Sequence, residues 1–491
     1  MKYLDLLAFD IGASNGRGII GRFDGERVTL STVKYFENNF TTQGEQGYWD
    51  ADGILANLKS CFVKAGELGF SPACFGIDTW GVDYGLLDKS GNLIENPRAY
   101  RCSTNAEMQA AWQKVGKKKI FEHTGIAALN FNTVYQLYRR VLENDEALTK
   151  AKTLLLMPDL LGYLLTGCKC SEYTIASTSS LLDVHTQSWS PDIMRDLSIP
   201  QGIFTAIDRA GTMRGELLAD VAGQLGIPRV LYAAVGAHDT ASAVAAIPGQ
   251  GNFAFCSSGT WSLFGIETKE PVLTDFVYEN NFSNEGTVQG GFRPLKNIMG
   301  LWIIQECRRE WAARGKAYSW DEIVALAKGA PAFGSVIDPD NGAFYEAGGM
   351  TEKIHIYCRT THQKVPQSEG EVARCIYESL ALKYRWAIER LGEMKGQPIQ
   401  SLNITGGGIQ NELLNQMAAD STGLVTTTGP IEGAALGNVL MQAVALGRLS
   451  NLDEAREVAR ASASTTTYQP HHKLEWDEAY ERLIHNMEAQ L

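Results

Sequence analysis

The sequence lacks a long apolar run and a recognisable leader segment. Although 44% of its 491 residues are hydrophobic, no stretch approaches the roughly 20 residues that a membrane-spanning helix needs. Near the N-terminus, Asp5 and Asp10 interrupt the apolar region that a signal peptide would require. We therefore expect a chain that is neither exported nor anchored in a membrane, and that works in the cytoplasm.

The chain also has few cysteines for its length, and its acidic residues outnumber its basic ones. Nine cysteines in so long a chain suit reduced thiols better than a disulfide framework. Cys168 and Cys170 lack the spacing and the partner pair of a zinc site, whereas a bridge such as Cys358 to Cys375 stays open. The 44 basic and 56 acidic residues give a net charge of −12, which disfavours nucleic acid as a partner.

Three common nucleotide-binding signatures are missing. There is no Gly-x-x-x-x-Gly-Lys-Ser/Thr loop, no His-Arg-Asp with Asp-Phe-Gly, and no Gly-x-Gly-x-x-Gly that opens a helix after the first strand. These absences weigh against P-loop proteins, protein kinases and ordinary Rossmann domains. A nucleotide site in this chain would have to be built in another way.

The chain begins with the same local pattern twice. Residues 4–9 and 19–23 are apolar runs on either side of a turn of small residues, and residues 253–264 repeat strand, polar turn and strand. Elsewhere strand and helix patterns alternate, which is typical of α/β domains. Because 491 residues exceed what one hydrophobic core usually supports, the sequence predicts two α/β domains, 1–248 and 249–491, with a cleft between them.

The turns at these two openings have the composition of phosphate-binding loops. Residues 12–18 are rich in glycine and include Arg17, and residues 257–260 form a second turn of serine, glycine and threonine. Such turns let several backbone N–H groups approach a phosphate, and an arginine adds a charged partner. Either turn alone could be an ordinary hairpin, but two of them at the starts of two halves favour a shared polyphosphate ligand.

Three acidic residues are candidates for chemistry. Asp10 closes the first predicted strand, where a carboxylate can hold a hydrated Mg²⁺ beside phosphates or serve as a simple turn acid. Asp239 stands at the start of an apolar helix, as a candidate catalytic base or as an acid that interacts with the helix dipole. Asp83 ends a polar cluster with Trp80, which suits a sugar, although the tryptophan could equally belong to the core.

Several short motifs together resemble the FGGY family of carbohydrate kinases. They are DIGASNGR, GIDTWGVD, MPD, HDTASAV, SSGTWSL, LKNIMGLW and GGGIQN. Their order and spacing are similar to those of the family across essentially the whole chain, and the combination is specific where no single motif is. The resemblance implies an α/β fold of two ribonuclease-H-like domains, of the actin, hexokinase and Hsp70 type, flanking a deep cleft.

The resemblance also implies roles for individual residues, with ATP as the nucleotide and Asp239 as the catalytic base. The implied nucleotide contacts are Ala13, Ser14, Asn15, Gly16, Arg17, Thr260, Asn297, Gln305 and Gly407. The implied sugar contacts are Gly81, His238, Asp239 and Thr240, to which the polar cluster adds Asp83. Asn15 stands where serine or threonine is common in the family, which favours a backbone contact over a hydroxyl contact at that position.

The activity implied by the resemblance is transfer of the γ-phosphoryl group of MgATP to the C1 hydroxyl of a ketose. The motifs GIDTWGVD and LKNIMGLW favour L-rhamnulose, with L-fuculose or L-xylulose as alternatives. Closure of the domains on the sugar is expected to gate the transfer, because water could otherwise accept the phosphoryl group. The expected partners are a ketose and ATP, with neither nucleic acid nor membrane, and the chain is expected to be a monomer or a homodimer.

Two other classes of function are weighed against this one. Residues 12–16 formally fit the Gly-x-Ser-x-Gly pattern of serine hydrolases, but the next residues are strand-like, whereas the hydrolase motif opens a helix. A non-catalytic nucleotide-binding module of the actin type is the other class, since fold does not fix function. The presence of both Asp10 and Asp239 argues against it.

Overall fold

A computed structural model describes residues 3–249, 251–471 and 473–488 of the chain. The strands are β1 (Leu4–Ile11), β2 (Asn15–Phe23), β3 (Val28–Glu37), β4 (Phe40–Gln43), β5 (Gln46–Trp49), β6 (Pro72–Thr79), β7 (Tyr84–Leu87), β8 (Thr153–Leu156), β9 (Ser171–Glu172), β10 (Leu182–Asp183), β11 (Ser188–Trp189), β12 (Ile207–Asp208), β13 (Met213–Glu216), β14 (Leu231–Ala233), β15 (Phe253–Ser258), β16 (Trp261–Gly265), β17 (Ser283–Gly286), β18 (Phe292–Met299), β19 (Ser401–Thr405), β20 (Val425–Thr428) and β21 (Thr466–Tyr468).

The α-helices are α1 (Ala51–Glu67), α2 (Asn105–Val115), α3 (Lys117–Thr124), α4 (Thr133–Leu142), α5 (Glu146–Lys150), α6 (Met157–Thr166), α7 (Tyr173–Ser177), α8 (Pro191–Asp196), α9 (Ala219–Leu225), α10 (Asp239–Ala245), α11 (Asp275–Glu279), α12 (Trp302–Ala313), α13 (Trp320–Gly329), α14 (Met350–Thr360), α15 (Glu369–Lys395), α16 (Glu412–Thr422), α17 (Gly433–Ala445), α18 (Leu452–Ser462) and α19 (Lys473–Glu488). Short 3₁₀ helices cover Tyr100–Cys102, Gln201–Ile203, Gly342–Phe344 and Gly407–Gln410.

The chain divides into two compact units, neither of which is one continuous stretch. The first unit consists of Met1–Pro248, Glu267–Pro294 and Glu432–Ala463, and the second of Gly249–Ile266, Leu295–Ile431 and Ser464–Leu491. Two segments that the sequence analysis assigned to the second domain therefore belong to the first unit. The physical reason is packing, because apolar residues of α17 and α18 share a core with Leu6 of β1 and Ile19 of β2.

The main sheet of the first unit has the strand order β13-β14-β6-β1-β2-β3. Strands β1, β2 and β3 are antiparallel neighbours, whereas β6 and β14 run parallel to β1. Because successive side chains of a strand point to opposite faces, β1 serves two cores. Leu7 and Phe9 pack in the core that contains α1, and Leu6 and Ala8 pack in the core that contains α17.

The second unit repeats this plan. Its sheet includes the order β18-β16-β15-β19-β20-β21. Strands β15, β16 and β18 are antiparallel neighbours, and β19 and β20 run parallel to β15. The α/β class and the duplicated plan predicted from the two opening patterns are confirmed.

Helix α10, which begins at Asp239, packs closely against α17 in the first unit. The contact is made at Gly437, where an added Cβ would lie 1.8 Å from the carbonyl oxygen of Ser242. Because two atoms cannot approach so closely, only glycine allows α17 to pack at this distance. The position of Asp239 therefore depends on a glycine of a distant segment.

Two features concern the environment in which the chain works. None of the helices in the described part of the chain is long and apolar enough to cross a bilayer. All nine cysteines are free thiols, so the bridge between Cys358 and Cys375 that the sequence left open is absent from the described residues.

Candidate active site

Three acidic residues meet at one edge of the first sheet. Asp10, the last residue but one of β1, is in register with Asp78 of the parallel strand β6. A bridge between Thr79 and His238 brings the start of α10, and with it Asp239, to the same edge. Ligands of open α/β sheets bind at the carboxyl ends of the strands, so this edge is the candidate active site of the first unit.

Asp10 is held by Arg17 across the hairpin formed by β1 and β2. The guanidinium donates to Asp10 Oδ2 from Nε at 3.1 Å and from Nη2 at 2.7 Å. Its Nη1 lies 2.6 Å from Oε2 of Glu432, the residue that precedes α17. Burial opposes the charged guanidinium, but Asp10 and Glu432 raise the pKa of Arg17. This arginine is therefore a fixed positive charge at the turn.

Asp78 is a buried acid with an incomplete set of partners. It is 0% exposed, and its Oδ2 accepts a hydrogen bond of 2.7 Å from Asn438 of α17. Its Oδ1 has no hydrogen-bond partner among the described residues. Burial, with the negative charge of Asp10 beside it, raises the pKa of Asp78 well above its usual range. The charged form of Asp78 is therefore disfavoured in this site.

Asp239, the predicted base, is partly exposed at the first position of α10. Its Oδ1 accepts from the backbone N–H of Thr240 at 2.5 Å and from the Thr240 hydroxyl at 3.0 Å. His238 Nε2 lies 3.5 Å from the same oxygen. Burial raises the pKa of Asp239, His238 opposes that shift, and Asp10 adds to it. The structure thus brings His238, Asp239 and Thr240 together around one carboxylate oxygen.

The predicted phosphate loop forms the turn between β1 and β2. Ser14 and Asn15 are exposed at its tip, and Gly12 N–H donates to Asn15 O at 2.8 Å. Arg101 Nη2 lies 3.3 Å from both Ala13 O and Ser14 Oγ, so a second cation stands at this loop. The chain after the turn enters strand β2 at Asn15, not a helix, which removes the structural context of a serine hydrolase.

Asp83 lies below the surface of the site. It is 1% exposed, and its carboxylate accepts hydrogen bonds from Trp49 Nε1 at 2.6 Å, Trp80 Nε1 at 3.0 Å, the Tyr100 backbone at 3.2 Å and Gln136 at 3.1 Å. Burial raises the pKa of Asp83 to about 6, although the two indoles act against the shift. A direct sugar contact by Asp83 stays a prediction, and this geometry favours an indirect role in which Asp83 holds the two indoles.

The backbone between Trp80 and Asp83 is strained. Val82 has φ = 71°, a left-handed conformation that is unfavourable for a β-branched residue. Its N–H donates to Thr178 Oγ1 at 3.2 Å, and its carbonyl accepts from Thr133 Oγ1 at 2.6 Å. A Cβ on Gly81 would lie 3.2 Å from Thr178 Oγ1, so the chain passes close to this threonine. Such strain commonly marks functional loops.

In the second unit, the turn between β15 and β16 carries hydroxyl groups, whereas the turn between β1 and β2 in the first unit carries charged side chains. Thr260 is exposed, and its hydroxyl donates to Gln305 Oε1 of α12 at 3.3 Å. The Gly259 carbonyl accepts from Leu301 N–H at 3.0 Å, and the Thr260 carbonyl accepts from Gly300 N–H at 3.1 Å. Two residues predicted to contact the nucleotide are therefore brought together on a fixed turn.

The glycine triplet after β19 lies against the same turn. A Cβ on Gly408 would lie 2.1 Å from Ser258 Oγ, and Gly406 has φ = 87°. Gly407 itself is exposed between them. The triplet therefore leaves open space at Gly407 beside the β15–β16 turn, as expected of a nucleotide contact.

Asn297, the remaining predicted nucleotide contact, lies on β18 opposite Leu263 of β16. Its Oδ1 is buried and has no hydrogen-bond partner among the described residues. A buried, unsatisfied amide oxygen is uncommon, and it leaves an acceptor for which the structure supplies no donor.

The carboxylates of the first unit are candidates for holding a Mg²⁺ ion. Among the described residues no group of three His, Cys, Asp or Glu side chains could hold a metal ion. Magnesium, however, is usually held by one or two carboxylates together with waters and phosphates. Both Arg17 hydrogen bonds end on Oδ2 of Asp10, so the donor set fits an ion bound through Asp10 and nucleotide phosphates.

Several residues at this site escaped the sequence analysis. They are Arg101, Glu285, Arg293, Glu432 and Asn438. Glu432 carried the clearest available signal, because an acid stands between Pro430 and an apolar helix that starts with glycine. The signal does not say which cation Glu432 meets, since that depends on how α17 packs.

Two family models match the chain. The N-terminal domain of the FGGY family of carbohydrate kinases matches residues 6–246, and the C-terminal domain of that family matches residues 254–446. Together they cover most of the sequence and include the residues of both turns.

Individual proteins are similar over nearly the whole chain. A rhamnulokinase from Bacteroides thetaiotaomicron is 39% identical over 97% of this chain and 98% of its own length. A rhamnulokinase from Enterococcus faecalis is 40% identical over 94% of both chains. Among solved structures, a ligand-bound xylulose kinase from Lactobacillus acidophilus superposes with a TM-score of 0.82 over 100% of this chain and 98% of its own, at 14% identity, which shows a common fold.

Proposed function

We propose, since the chain belongs to the FGGY family of carbohydrate kinases, that it transfers the γ-phosphoryl group of ATP to the C1 hydroxyl of L-rhamnulose. The product would be L-rhamnulose 1-phosphate, formed in rhamnose catabolism. The choice of sugar rests on the rhamnulokinases that match the chain almost from end to end. The observation that carries the chemistry is Asp239, a partly exposed carboxylate at the edge of the first sheet.

Asp239 acts as the general base. Its raised pKa, caused mainly by burial, makes it a better proton acceptor than an ordinary aspartate. Because its described contacts involve Oδ1, we assign Oδ2 to the substrate hydroxyl. As the hydroxyl loses its proton to Asp239, its oxygen attacks the γ-phosphorus and ADP leaves with the former bridging oxygen.

The first turn supplies positive charge that neutralises the negative charge on the transferring phosphoryl group. Arg17 is the fixed cation of that turn, and residues 13–16 offer backbone N–H groups to the phosphates. Asp10 would hold Mg²⁺, which when bound neutralises phosphate charge. Asp10 and Glu432 hold the Arg17 guanidinium in place, so little side-chain entropy is lost when a phosphate arrives.

The second unit binds the nucleotide through neutral groups. Thr260 and Gln305 offer a hydroxyl and an amide, and Asn297 offers a buried amide. Gly407 leaves room for the nucleotide beside the turn. These contacts are equally available before and after transfer, so they contribute to affinity for ATP more than to the rate of the chemical step.

The sugar is held by the first unit. His238 and Thr240 flank the base, and Gly81 lies on the strained segment above the indole of Trp80 and the buried Asp83. A sugar has apolar C–H groups as well as polar hydroxyl groups, so an aromatic side chain beside polar groups suits it. We assign Asp83 the role of fixing Trp49 and Trp80.

The free cysteines bear on the compartment in which the enzyme works. Nine free cysteines are consistent with a reducing compartment, and we propose that the protein works in the cytoplasm. Its partners would be a ketose and ATP, without nucleic acid or membrane, and the chain would act as a monomer or a homodimer.

The test is sugar-dependent release of ADP from MgATP with L-rhamnulose, L-fuculose, L-xylulose, L-ribulose and D-xylulose, against a control without sugar. We expect the highest kcat/KM for L-rhamnulose. A clear lead for another ketose would replace the sugar and keep the chemistry. Release no faster than in the control with every ketose would overturn the kinase assignment.

Asp239→Asn tests the base in the same assay, with Asp192→Asn as the matched control. Asp192 is also a partly exposed acid in the first turn of a helix of the first unit, but it pairs with Arg195. We expect kcat to fall by about 10²- to 10⁴-fold in Asp239→Asn and to stay near wild type in Asp192→Asn. Near-normal turnover in Asp239→Asn would remove Asp239 from the mechanism.

A further inference from the structure

A buried charged group lies behind His238, on the side away from the solvent-facing part of Asp239. Glu285 stands on β17, and Arg293 stands near the start of β18, in a segment that joins the first unit from beyond the predicted domain boundary. Arg293 is 0% exposed, Glu285 and His238 are each 7% exposed. A buried side chain keeps its charge only when it is paired, so these three side chains must be stabilised by their contacts with one another.

Two nitrogen atoms lie within hydrogen-bond distance of Glu285 Oε2. Arg293 Nη2 donates to it at 3.1 Å, and His238 Nδ1 lies 3.1 Å from it. Arg293 also donates from Nε to Gly286 O at 2.9 Å, which fixes the plane of the guanidinium. Burial opposes ionisation of Glu285, but His238 and Arg293 together hold the pKa of Glu285 below its usual range.

His238 therefore bridges two carboxylates through its two ring nitrogens. Nδ1 faces Glu285, and Nε2 lies 3.5 Å from Asp239 Oδ1. A carboxylate can only accept a hydrogen bond, so Glu285 favours a proton on Nδ1. Arg293 Nη2, which is 3.3 Å from the same nitrogen, can only donate and favours the opposite tautomer. Asp239 Oδ1, beside Nε2, also favours a proton on Nε2, so removal of Glu285 shifts the balance from Nδ1 toward Nε2.

The orientation of the ring matters for the reaction. With Nδ1 held at Glu285, Nε2 stays beside Oδ1 of Asp239. The other carboxylate oxygen, Oδ2, is then left for the sugar hydroxyl, so the ring helps to fix which oxygen takes the proton.

We infer that Glu285 and Arg293 are positioning residues that hold the imidazole of His238 with Nδ1 toward Glu285 and Nε2 toward Asp239 Oδ1, so that Oδ2 of Asp239 faces the sugar hydroxyl and takes its proton. In this step the sugar O–H bond breaks and an O–H bond forms on Asp239, with the electron pair left on the attacking oxygen. The inference rests on the proposed function, since it assigns Asp239 as the base.

The first experiment compares Glu285→Gln with Glu378→Gln. Glu378 is likewise a buried glutamate paired with an arginine, Arg374 at 2.7 Å, but it lies on α15 of the second unit. We expect kcat of Glu285→Gln to fall by about 10- to 100-fold, with KM for ATP within about twofold of wild type. Glu378→Gln should lose stability but keep kcat, which separates a positioning role from loss of a buried ion pair.

The second experiment reads the tautomer directly in the folded protein. Two-bond ¹H–¹⁵N spectra of histidine-labelled enzyme distinguish a proton on Nδ1 from one on Nε2, and His238→Gln assigns the signal among the eight histidines. We expect Nδ1 to carry the proton in the wild type and Nε2 to carry it in Glu285→Gln. The same tautomer in both proteins would overturn the inference, even if Glu285→Gln were poorly active.

The two proposals fail in different ways. If the wild-type enzyme releases no ADP with any ketose, the proposed function fails. If the wild type is active and Glu285→Gln matches Glu378→Gln in kcat, only the role of Glu285 and Arg293 fails. Loss of folding in Glu285→Gln would show in thermal unfolding, and Arg293→Lys, which keeps the positive charge but loses the planar fork, then tests the same contact with the same two measurements.

Discussion

The turn β1–β2 and the turn β15–β16 occupy equivalent places in two sheets of the same strand order, yet they carry different chemistry. The first turn has an aspartate on one strand and an arginine opposite it, at Asp10 and Arg17. The second has serines on both strands, at Ser258 and Ser262, followed across the turn by a threonine–glutamine hydrogen bond. One fold plan thus supplies a charged turn and a neutral turn.

This difference indicates a division of labour. Charge is worth most where charge develops during the reaction, and neutral donors suffice where a ligand only has to be held. We therefore expect changes in the first turn to lower kcat and changes in the second to raise KM for ATP.

The largest effect is expected from Arg17→Gln. Removing the fixed cation should lower kcat by about 10²- to 10³-fold, because phosphoryl transfer depends on neutralising charge. The matched control is Arg22→Gln, since Arg22 pairs with Asp5 across the same hairpin just as Arg17 pairs with Asp10. Steady-state kinetics should show near-normal kcat in the control, and equal losses in both variants would mean that the hairpin needs its ion pairs only to fold.

The next effect is a pH dependence of stability at Asp83. In the folded protein its pKa is about 6, against an ordinary 3.8, so between these values the folded state binds more protons than the unfolded chain. Its contribution to the free energy of unfolding therefore falls as pH rises, by up to about 3 kcal/mol from pH 4 to above pH 6.

Asp83→Asn removes that dependence. Urea unfolding at pH 4.5 and pH 7 should show a variant that is less stable than wild type at both values, with a smaller deficit at pH 7. Asp5→Asn is the control, because Arg22 and Ser71 lower the pKa of Asp5 in spite of its burial, so its contribution is lost only as pH falls below its ordinary value. An equal deficit for Asp83→Asn at both pH values would contradict a raised pKa at Asp83.

Two glycines allow a paired test of the two units. Gly437→Ala would place a Cβ against the backbone oxygen of Ser242, and we expect a cost of about 1–3 kcal/mol together with lower kcat, because α10 must move. Gly408→Ala meets Ser258 through its Cβ at 2.8 Å and its backbone oxygen at 3.1 Å as well as its hydroxyl, so we expect a cost in the same range. Gly408→Ala should raise KM for ATP and leave kcat largely intact; a loss of kcat alone in this variant would break the comparison.

The smallest effect is expected from Thr260→Val. The substitution keeps the shape of the side chain and removes the hydroxyl that donates to Gln305. We expect KM for ATP to rise by about 3- to 10-fold, the loss of roughly one hydrogen bond, with kcat unchanged. Thr422→Val is the control, because the Thr422 hydroxyl donates within its own helix at Ala418 and accepts from the Leu424 N–H, away from the β15–β16 turn.

The sequence was sufficient for what is local. Alternating and continuous apolar runs predicted β1, β2 and β15, and a hairpin automatically places Asp10 opposite Arg17. The start of α10 at Asp239 also follows from a short polar segment before an apolar helix. The repeated strand–turn–strand pattern then indicated the duplicated plan.

What the sequence could not predict depends on packing between distant segments. Nothing in the local pattern of residues 432–463 says that they join the first unit, where Glu432 meets Arg17 and Asn438 meets Asp78. The burial of Asp83 was likewise hidden, because it requires Trp49 to approach from β5. Glu285 and Arg293 became visible as neighbours of His238 only once the segment Glu267–Pro294 was placed.

The most direct test of the division of labour between the two units is the affinity for ADP, measured by calorimetry without sugar, in Asp239→Asn and in Thr260→Val. We predict that Asp239→Asn, with kcat strongly reduced, binds ADP within about twofold of wild type, whereas Thr260→Val binds it about 3- to 10-fold more weakly. If Asp239→Asn weakened ADP binding as much as it lowered turnover while Thr260→Val left affinity unchanged, the assignment of the chemical step to Asp239 in the first unit and of nucleotide binding to the turn of the second unit would be contradicted.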